Sequence, residues 1–214
     1  HQLEVLKTGL PEYTVVGVGR EDGKTAGEYA PIFFKQAKYT LLDQNTFWLC
    51  EKPDSVGMVG WDAALTRIAT WAKLQDKKTG QILMVVNTHF DHIGTEARRN
   101  SALLIIEKIK EIVGTSPAIL TGDFNVSEDW DAYKTITNNE FILKDAHKVA
   151  GKRTGVDFTY HNFGKIPAEK CEKIDFIFVT PQIRVISSYI PFSQLNDTLF
   201  LSDHNPEIVE LEIK

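Results

Sequence analysis

Two spacings run through the apolar positions of this chain, and the spacing of two residues dominates. "YTVVGVG", "RIATWAKLQD", "ILMVVNTHF", "KIDFIFVT", "IRVISSYI" and "EIVELEIK" each alternate or stay apolar over the length of one strand. "APIFFKQAKYTLLDQNTFWL" reads as two strands and a turn, and "KKTG" links "RIATWAKLQD" to "ILMVVNTHF" as a hairpin. "EARRNSALLIIEKIKEIV" carries the helical spacing instead: Ala102, Leu103, Ile105, Ile106, Ile109, Ile112 and Val113 fall on one broad face. "DWDAYKTITNN" predicts a shorter helix with Asp129 near its start. "HQLEVLKTGL" reads as the tail of a helix, and "FILKDAH" leads into a loop. Strands dominate and helices are interspersed. That pattern predicts an α+β fold of layered sheets rather than an alternating βαβ one.

Composition narrows the classes. A chain of 214 residues suits one compact domain, spanning 1–214, with a substantial core. Its apolar share of 43% and charged share of 25% are the ordinary globular balance. No apolar run approaches the length of a bilayer span, so the chain is not expected to be an integral membrane protein. No apolar hairpin stands out as a membrane-docking element. The net charge of −5 weakens the case for a duplex-DNA binder, which usually presents a basic face. The adjacent arginines of "EARRNS" are assigned to the solvated face of their helix. Cys50 and Cys171 are too few and too far apart for a disulfide scaffold or a zinc site. No stable protein partner is implied.

Candidate chemistry lies where strands end. Four apolar runs deliver short clusters of acids, amides or histidines: "VVNTHFDH", "ILTGDFN", "KIDFIF" and "LSDHNP". Each alone is weak, since Gly, Asp and Asn form turns and a histidine after a strand is commonly structural. Together their residue types suit cleavage of a phosphate ester. That reaction needs the phosphate's charge offset, a base for the attacking water, and a proton for the leaving oxygen. Asp and Asn oxygens suit Mg²⁺, and a carboxylate-oriented histidine is a base near neutral pH. Asp123, Asp175, Asp203, Asn125, His89 and His204 are the candidates.

"NTHFDH", "LTGDFN", "KIDFIFV" and "LSDHNPEIVEL", in this order and spacing, resemble the endonuclease/exonuclease/phosphatase family across essentially the whole chain. The likeness is greatest to bacterial members, through "GEYAPIF" and "TFW" followed by "GWDAALTRIATWA". The resemblance implies a four-layer α/β/β/α sandwich of the DNase I type, two packed mixed sheets flanked by helices. It implies a Mg²⁺- or Mn²⁺-dependent hydrolase of phosphate esters, in the cytoplasm or exported.

Roles carry over by position. His204 resembles the residue that activates water or holds the scissile phosphate, and Asp175 the carboxylate that orients it. Asp203 resembles a metal ligand. Asp123 and Asn125 look like the pair that positions nucleophile and phosphate, with a place for a second metal. His89 resembles the histidine near the leaving group, and Glu28 its carboxylate partner. Arg67 falls where relatives place a phosphate-contacting arginine, and equally suits a surface strand. His161 and Asn162 are assigned either to the substrate pocket or to a loop hydrogen bond. Asp91 and His92 read as solvated loop residues, His147 as surface, and Trp48, Trp61 and Trp71 as core or rim packing. The acidic balance favours a small or lipid-derived phosphate ester. The alternatives are a DNA-repair or non-specific endonuclease, and a non-catalytic binding module on the same scaffold.

The family pattern opens with an Asn-bearing strand, a helix, and a strand ending in Gln-Glu whose Glu is the principal Mg²⁺ ligand. Neither the Asn nor the Glu has a counterpart here, since "HQLEVLKTGLPEYTVVG" resembles the segment that follows them. The polypeptide is therefore expected to lack N-terminal strands, and to be poorly stable and catalytically weak alone. Thermal melting and Mg²⁺ titration of this chain beside an N-terminally extended version should show the extended one to be more stable and tighter binding. Equal behaviour of the two refutes the expectation.

Overall fold

The computed structural model describes residues 2–114, 116–138, 143–196 and 199–214. Its helices are α1 (Gln2–Gly9), α2 (Thr95–Val113), α3 (Asp131–Thr137) and α4 (Ala146–Val149). Its strands are β1 (Tyr13–Val16), β2 (Ile32–Lys35), β3 (Tyr39–Trp48), β4 (Ile68–Asp76), β5 (Ile82–His89), β6 (Ala118–Asp123) and β7 (Lys144–Asp145). They continue with β8 (Lys152–Gly155), β9 (Asp175–Val179), β10 (Ile183–Ile190), β11 (Gln194–Asn196), β12 (Leu199–Phe200) and β13 (Ile208–Ile213). A six-stranded mixed sheet in the order β3-β4-β5-β6-β9-β7 forms the centre, and β5 and β6 are its one parallel pair among the described residues.

Both faces of that sheet are covered. On one face, α2 and α3 bury Ile105, Ile109, Tyr133 and Ile136 against Val86, Leu120, Phe176 and Phe178. Phe124 sits among Phe90, Phe176 and Phe178 with ring centroids 4.9–6.0 Å apart, edge to face. On the other face, β10 and β13 lay Ile183, Val185 and Leu211 on Leu83, Val85, Ile119 and Val179. The β1–β2 ribbon covers Ala72 and Leu74 beside them. The layered α+β sandwich is the architecture expected from the sequence.

Several local expectations are corrected. Leu103 points away from the helical stripe and is 51% exposed, because α2 uses only the arc through Ala102, Ile105, Ile106, Ile109 and Val113. Arg98 is buried rather than solvated: its Nη1 donates to the Asp91 carbonyl at 3.0 Å and its guanidinium lies 4.9 Å from the Trp130 ring centre. His147 is buried as well. Asp145 caps α4 by accepting from the backbone N–H of His147 at 2.8 Å, which turns the ring inward onto Ser188. In "FILKDAH", Phe141 and Ile142 lie outside the described residues, but Lys144 and Asp145 pair with the free edge of β9 as a strand. The ribbon β11–β12 exposes Leu195 and Leu199, an apolar hairpin the pattern did not show. No described helix is long and apolar enough to cross a membrane.

Neighbouring positions on α2 test this packing. Ile105→Ala should cost about 2–5 kcal/mol, because it opens a cavity under the sheet, whereas Leu103→Ala should stay within about 0.5 kcal/mol. Denaturant midpoints of the two variants check the contrast.

Candidate active site

Strand register assembles the site. His89 ends β5 and is the parallel partner of Asp123 at the end of β6, and Asp123 in turn faces Asp175 at the start of β9. Three strands thus place three reactive side chains in one lateral row. Gly122 makes the close approach possible: its φ is +157°, and a Cβ there would stand 2.2 Å from the Thr88 carbonyl oxygen. Asn125 takes a left-handed turn with φ +49°, its N–H donating to Asp123 Oδ1 at 2.9 Å and its side-chain amide to the Phe90 carbonyl at 3.0 Å. An isolated bridge between Tyr160 and His204 brings in the last loop, and the two rings pack 5.0 Å apart.

The side chains form two carboxylate–imidazole pairs that meet at one oxygen. His204 Nδ1 lies 2.7 Å from Asp175 Oδ2, and His89 Nδ1 lies 3.1 Å from Glu28 Oε1. A carboxylate accepts only from an N–H, so each pair fixes the proton on Nδ1 and leaves Nε2 as the working atom. His89 Nε2 is 3.3 Å from Asp123 Oδ2, and His204 Nε2 is 4.0 Å from the same oxygen. Burial and the charge of Asp175 raise the Asp123 carboxyl above its ordinary value, against the pull of the two imidazoles. Burial works to lower the His204 imidazole, but the hydrogen bond and charge of Asp175 outweigh it and raise the ring above its ordinary value. The His89 hydrogen bond, with help from Arg20 and Arg67, lowers the Glu28 carboxyl to about 2.

Behind Glu28 stands an arginine arrangement only partly anticipated. Arg20 Nη1 donates to Glu28 Oε2 at 2.6 Å, a partner missed in the sequence although "RED" precedes "GEY" by a few residues. Arg67 is buried, which removes the surface-strand alternative. Its Nη1 lies 3.9 Å from Glu28 Oε2, its Nε 3.5 Å from Asp91 Oδ2, and its Nη2 3.1 Å from His92 Nδ1. Asp91 is likewise no solvated loop residue, being 1% exposed. Its carboxylate accepts from the N–H groups of Gly94, Ile93 and Leu65 at 2.7–3.2 Å. Burial pushes that carboxyl up, but these backbone donors hold it well below the carboxylate range.

Two expected participants stand elsewhere. Asp203 spends its backbone carbonyl on the N–H groups of His161 and Asn162, and its Oδ1 accepts from the Ser202 hydroxyl at 3.3 Å. Among the described residues, the donor group that could hold a metal ion, its ligand atoms within 4.8 Å of one another, is Asp123, Asp175 and His204, without Asp203. His161 is 1% exposed, its Nδ1 accepts from the Gly164 N–H, and it packs among Phe158, Phe192 and Phe200. That enclosure gives it a loop hydrogen bond.

The fold has counterparts among known proteins. Residues 10–204 match the model of the endonuclease/exonuclease/phosphatase family, and the chain belongs to that family. It is 64% identical to an endonuclease/exonuclease/phosphatase from Bacteroides vulgatus, with a TM-score of 0.96 over 100% of this chain and 81% of that one. It is 38% identical to the Bacteroides thetaiotaomicron mannosyl-6-phosphatase, with a TM-score of 0.92 over 100% of this chain and 82% of that one. An uncharacterized protein of Acanthamoeba polyphaga mimivirus is 30% identical over 98% of this chain and 80% of its own length.

Asp91 links the loop before β4 to the start of α2, so Asp91→Asn should lower stability at pH 7 by about 2–4 kcal/mol. Its folded-state value is depressed. The contribution is therefore present above the unfolded value of about 3.9 and lost as pH falls through the folded one. The stability gap between variant and parent, measured by urea melts from pH 7 to pH 3, should narrow below about pH 4.

Proposed function

We propose that this chain is a divalent-cation-dependent phosphoesterase acting on small phosphate esters. One observation carries the reading: the Glu28–His89 and Asp175–His204 pairs aim two Nε2 atoms at a single oxygen of Asp123. Such an arrangement holds two protonation roles within reach of one reacting centre.

In this reading His204 Nε2 takes a proton from the attacking water as the water oxygen bonds to phosphorus. Asp175 stabilises the imidazolium that results. His89, its Nδ1–H held by Glu28, gives a proton from Nε2 to the leaving oxygen as the bond from phosphorus to that oxygen breaks. Asn125 and Arg67 supply an amide and positive charge for the phosphate oxygens. The donor chemistry fits a hard cation, because Asp123 and Asp175 repel one another across a partly buried gap that a positive charge would relieve. Asp123 and Asp175 would hold it, with His204 at the edge of the group. A bound Mg²⁺ or Mn²⁺ would offset the phosphate's charge and acidify a coordinated water.

The substrate class follows from charge and relatives. A net charge of −5 suits a small anionic ester better than a duplex, and the 38% identical Bacteroides thetaiotaomicron protein is described as a mannosyl-6-phosphatase. A phosphorylated sugar is therefore the favoured substrate type. An endonuclease is the weaker alternative.

p-Nitrophenyl phosphate, bis-p-nitrophenyl phosphate, a sugar phosphate, plasmid DNA and RNA, each with Mg²⁺, Mn²⁺ or EDTA, separate these readings. His204→Ala should lower kcat/KM by about 10²–10⁴, and unchanged activity in that variant removes the mechanism. The base must be neutral, so activity should rise with pH through a value above the ordinary imidazole one of about 6.5. In Asp175→Asn the residual activity should rise at lower pH, because the carboxylate that holds the proton on His204 is gone. A pH–rate profile that does not move between the two proteins contradicts the role given to Asp175.

A further inference from the structure

A cavity of about 770 Å³ stands apart from the pocket at the histidines, whose volume is about 430 Å³. It opens between α4, β8 and the loop after β6, and Glu128, His147, Lys148, Arg153, Asp157 and Lys173 line it. Four of these six side chains are basic, in a chain that is acidic overall.

The pairing of these charges decides what the cavity suits. Lys148 is spent on Glu128 at 2.5 Å, and Lys173 is spent on Glu207 at 2.9 Å. His147 is buried and gripped from behind, its Nδ1 2.8 Å from Ser188 Oγ. The ring therefore presents Nε2 to the cavity, as an N–H donor in the tautomer whose Nδ1 accepts from the Ser188 hydroxyl. There it meets Asp157 Oδ1 at 3.7 Å, beyond hydrogen-bond length, on a carboxylate 98% exposed to water. Arg153 forms no ion pair with any described residue. After the close pairs cancel, the Arg153 guanidinium and the edge of a buried imidazole remain, with the Asp157 carboxylate held out in water. We propose that this cavity is a second, non-catalytic binding site for a small oxyanion, held by the Arg153 guanidinium and His147 Nε2. A planar guanidinium and a fixed ring nitrogen are the donors an oxyanion takes up best.

The site has a built rear wall. Ser188 Oγ lies 3.3 Å from Glu207 Oε1, and Lys173 Nζ donates to the Asp175 carbonyl at 2.8 Å. Glu207 itself lines the pocket of the histidines. His147, Ser188, Glu207 and Lys173 thus form one chain of contacts ending at the backbone of the residue that holds His204. The proposal does not depend on the catalytic reading, since it needs no reaction at His204.

The test is NMR of the histidine ring resonances of the whole chain in EDTA, titrated with inorganic phosphate and, separately, acetate at constant ionic strength. The His147 signals should shift saturably with phosphate, both in the parent chain and in His204→Ala. Acetate shows whether a carboxylate is accepted as well. Arg153→Ala, on an exposed edge strand, should weaken the phosphate midpoint by about tenfold. Arg153→Lys should fall between parent and alanine. Lys52→Ala, an exposed lysine elsewhere, should leave the midpoint in place. His147 signals that do not move, or that move without saturating, overturn the proposal. So does an Arg153→Ala midpoint equal to that of the parent, or a Lys52→Ala loss as large as that of Arg153→Ala.

Discussion

The lateral row of His89, Asp123 and Asp175 across β5, β6 and β9 is the constraint on which the rest of the molecule hangs. A shift of one residue in either pairing would send Asp123 to the other face of the sheet and leave the two imidazoles without a common target. The register is held from both faces. Leu120, Phe176 and Phe178 anchor the strands under α2 and α3, while Ile119 and Ile177 face β10 and β13. The alternation that fills two cores is the same alternation that delivers the polar row at the strand ends.

The energetic tension of the site is electrostatic. Asp123 is placed where burial and a neighbouring carboxylate both disfavour its charge, and two imidazoles supply the compensation. The cost of gathering such groups is offset outside the cluster. Asp91, fixed by backbone donors, carries the buried Arg67, and Arg67 with Arg20 keeps Glu28 charged beside His89. Loop segments far apart in sequence are thereby tied to the same corner, and the histidines inherit their orientation from it.

A similar device stands on the opposite side of β9. Lys173 and Glu207 flank the motif residues Asp175 and His204 in sequence, and in the fold they close the gap between the pocket and the neighbouring cavity. Membership of the endonuclease/exonuclease/phosphatase family accounts for the motifs.

Much of this was legible in the residues. Alternating apolar positions located every long strand, the 3.6-residue stripe located α2, and the clusters after those strands named His89, Asp123, Asp175 and His204. These signals are local: a strand's period and the polarity of its ends survive in one dimension. Whether Arg98, Asp91 and His147 meet water did not, and neither did which acid stands with Asp123 and His204 in the central cluster. Each was decided by residues distant in sequence: Trp130 over Arg98, the Leu65 N–H on Asp91, Ser188 behind His147, and His204 against Asp175. Sequence by itself determined which groups could do the chemistry. Tertiary structure alone decided which of them share a dielectric and a partner, because desolvation and pairing depend on what the fold brings within a few ångströms.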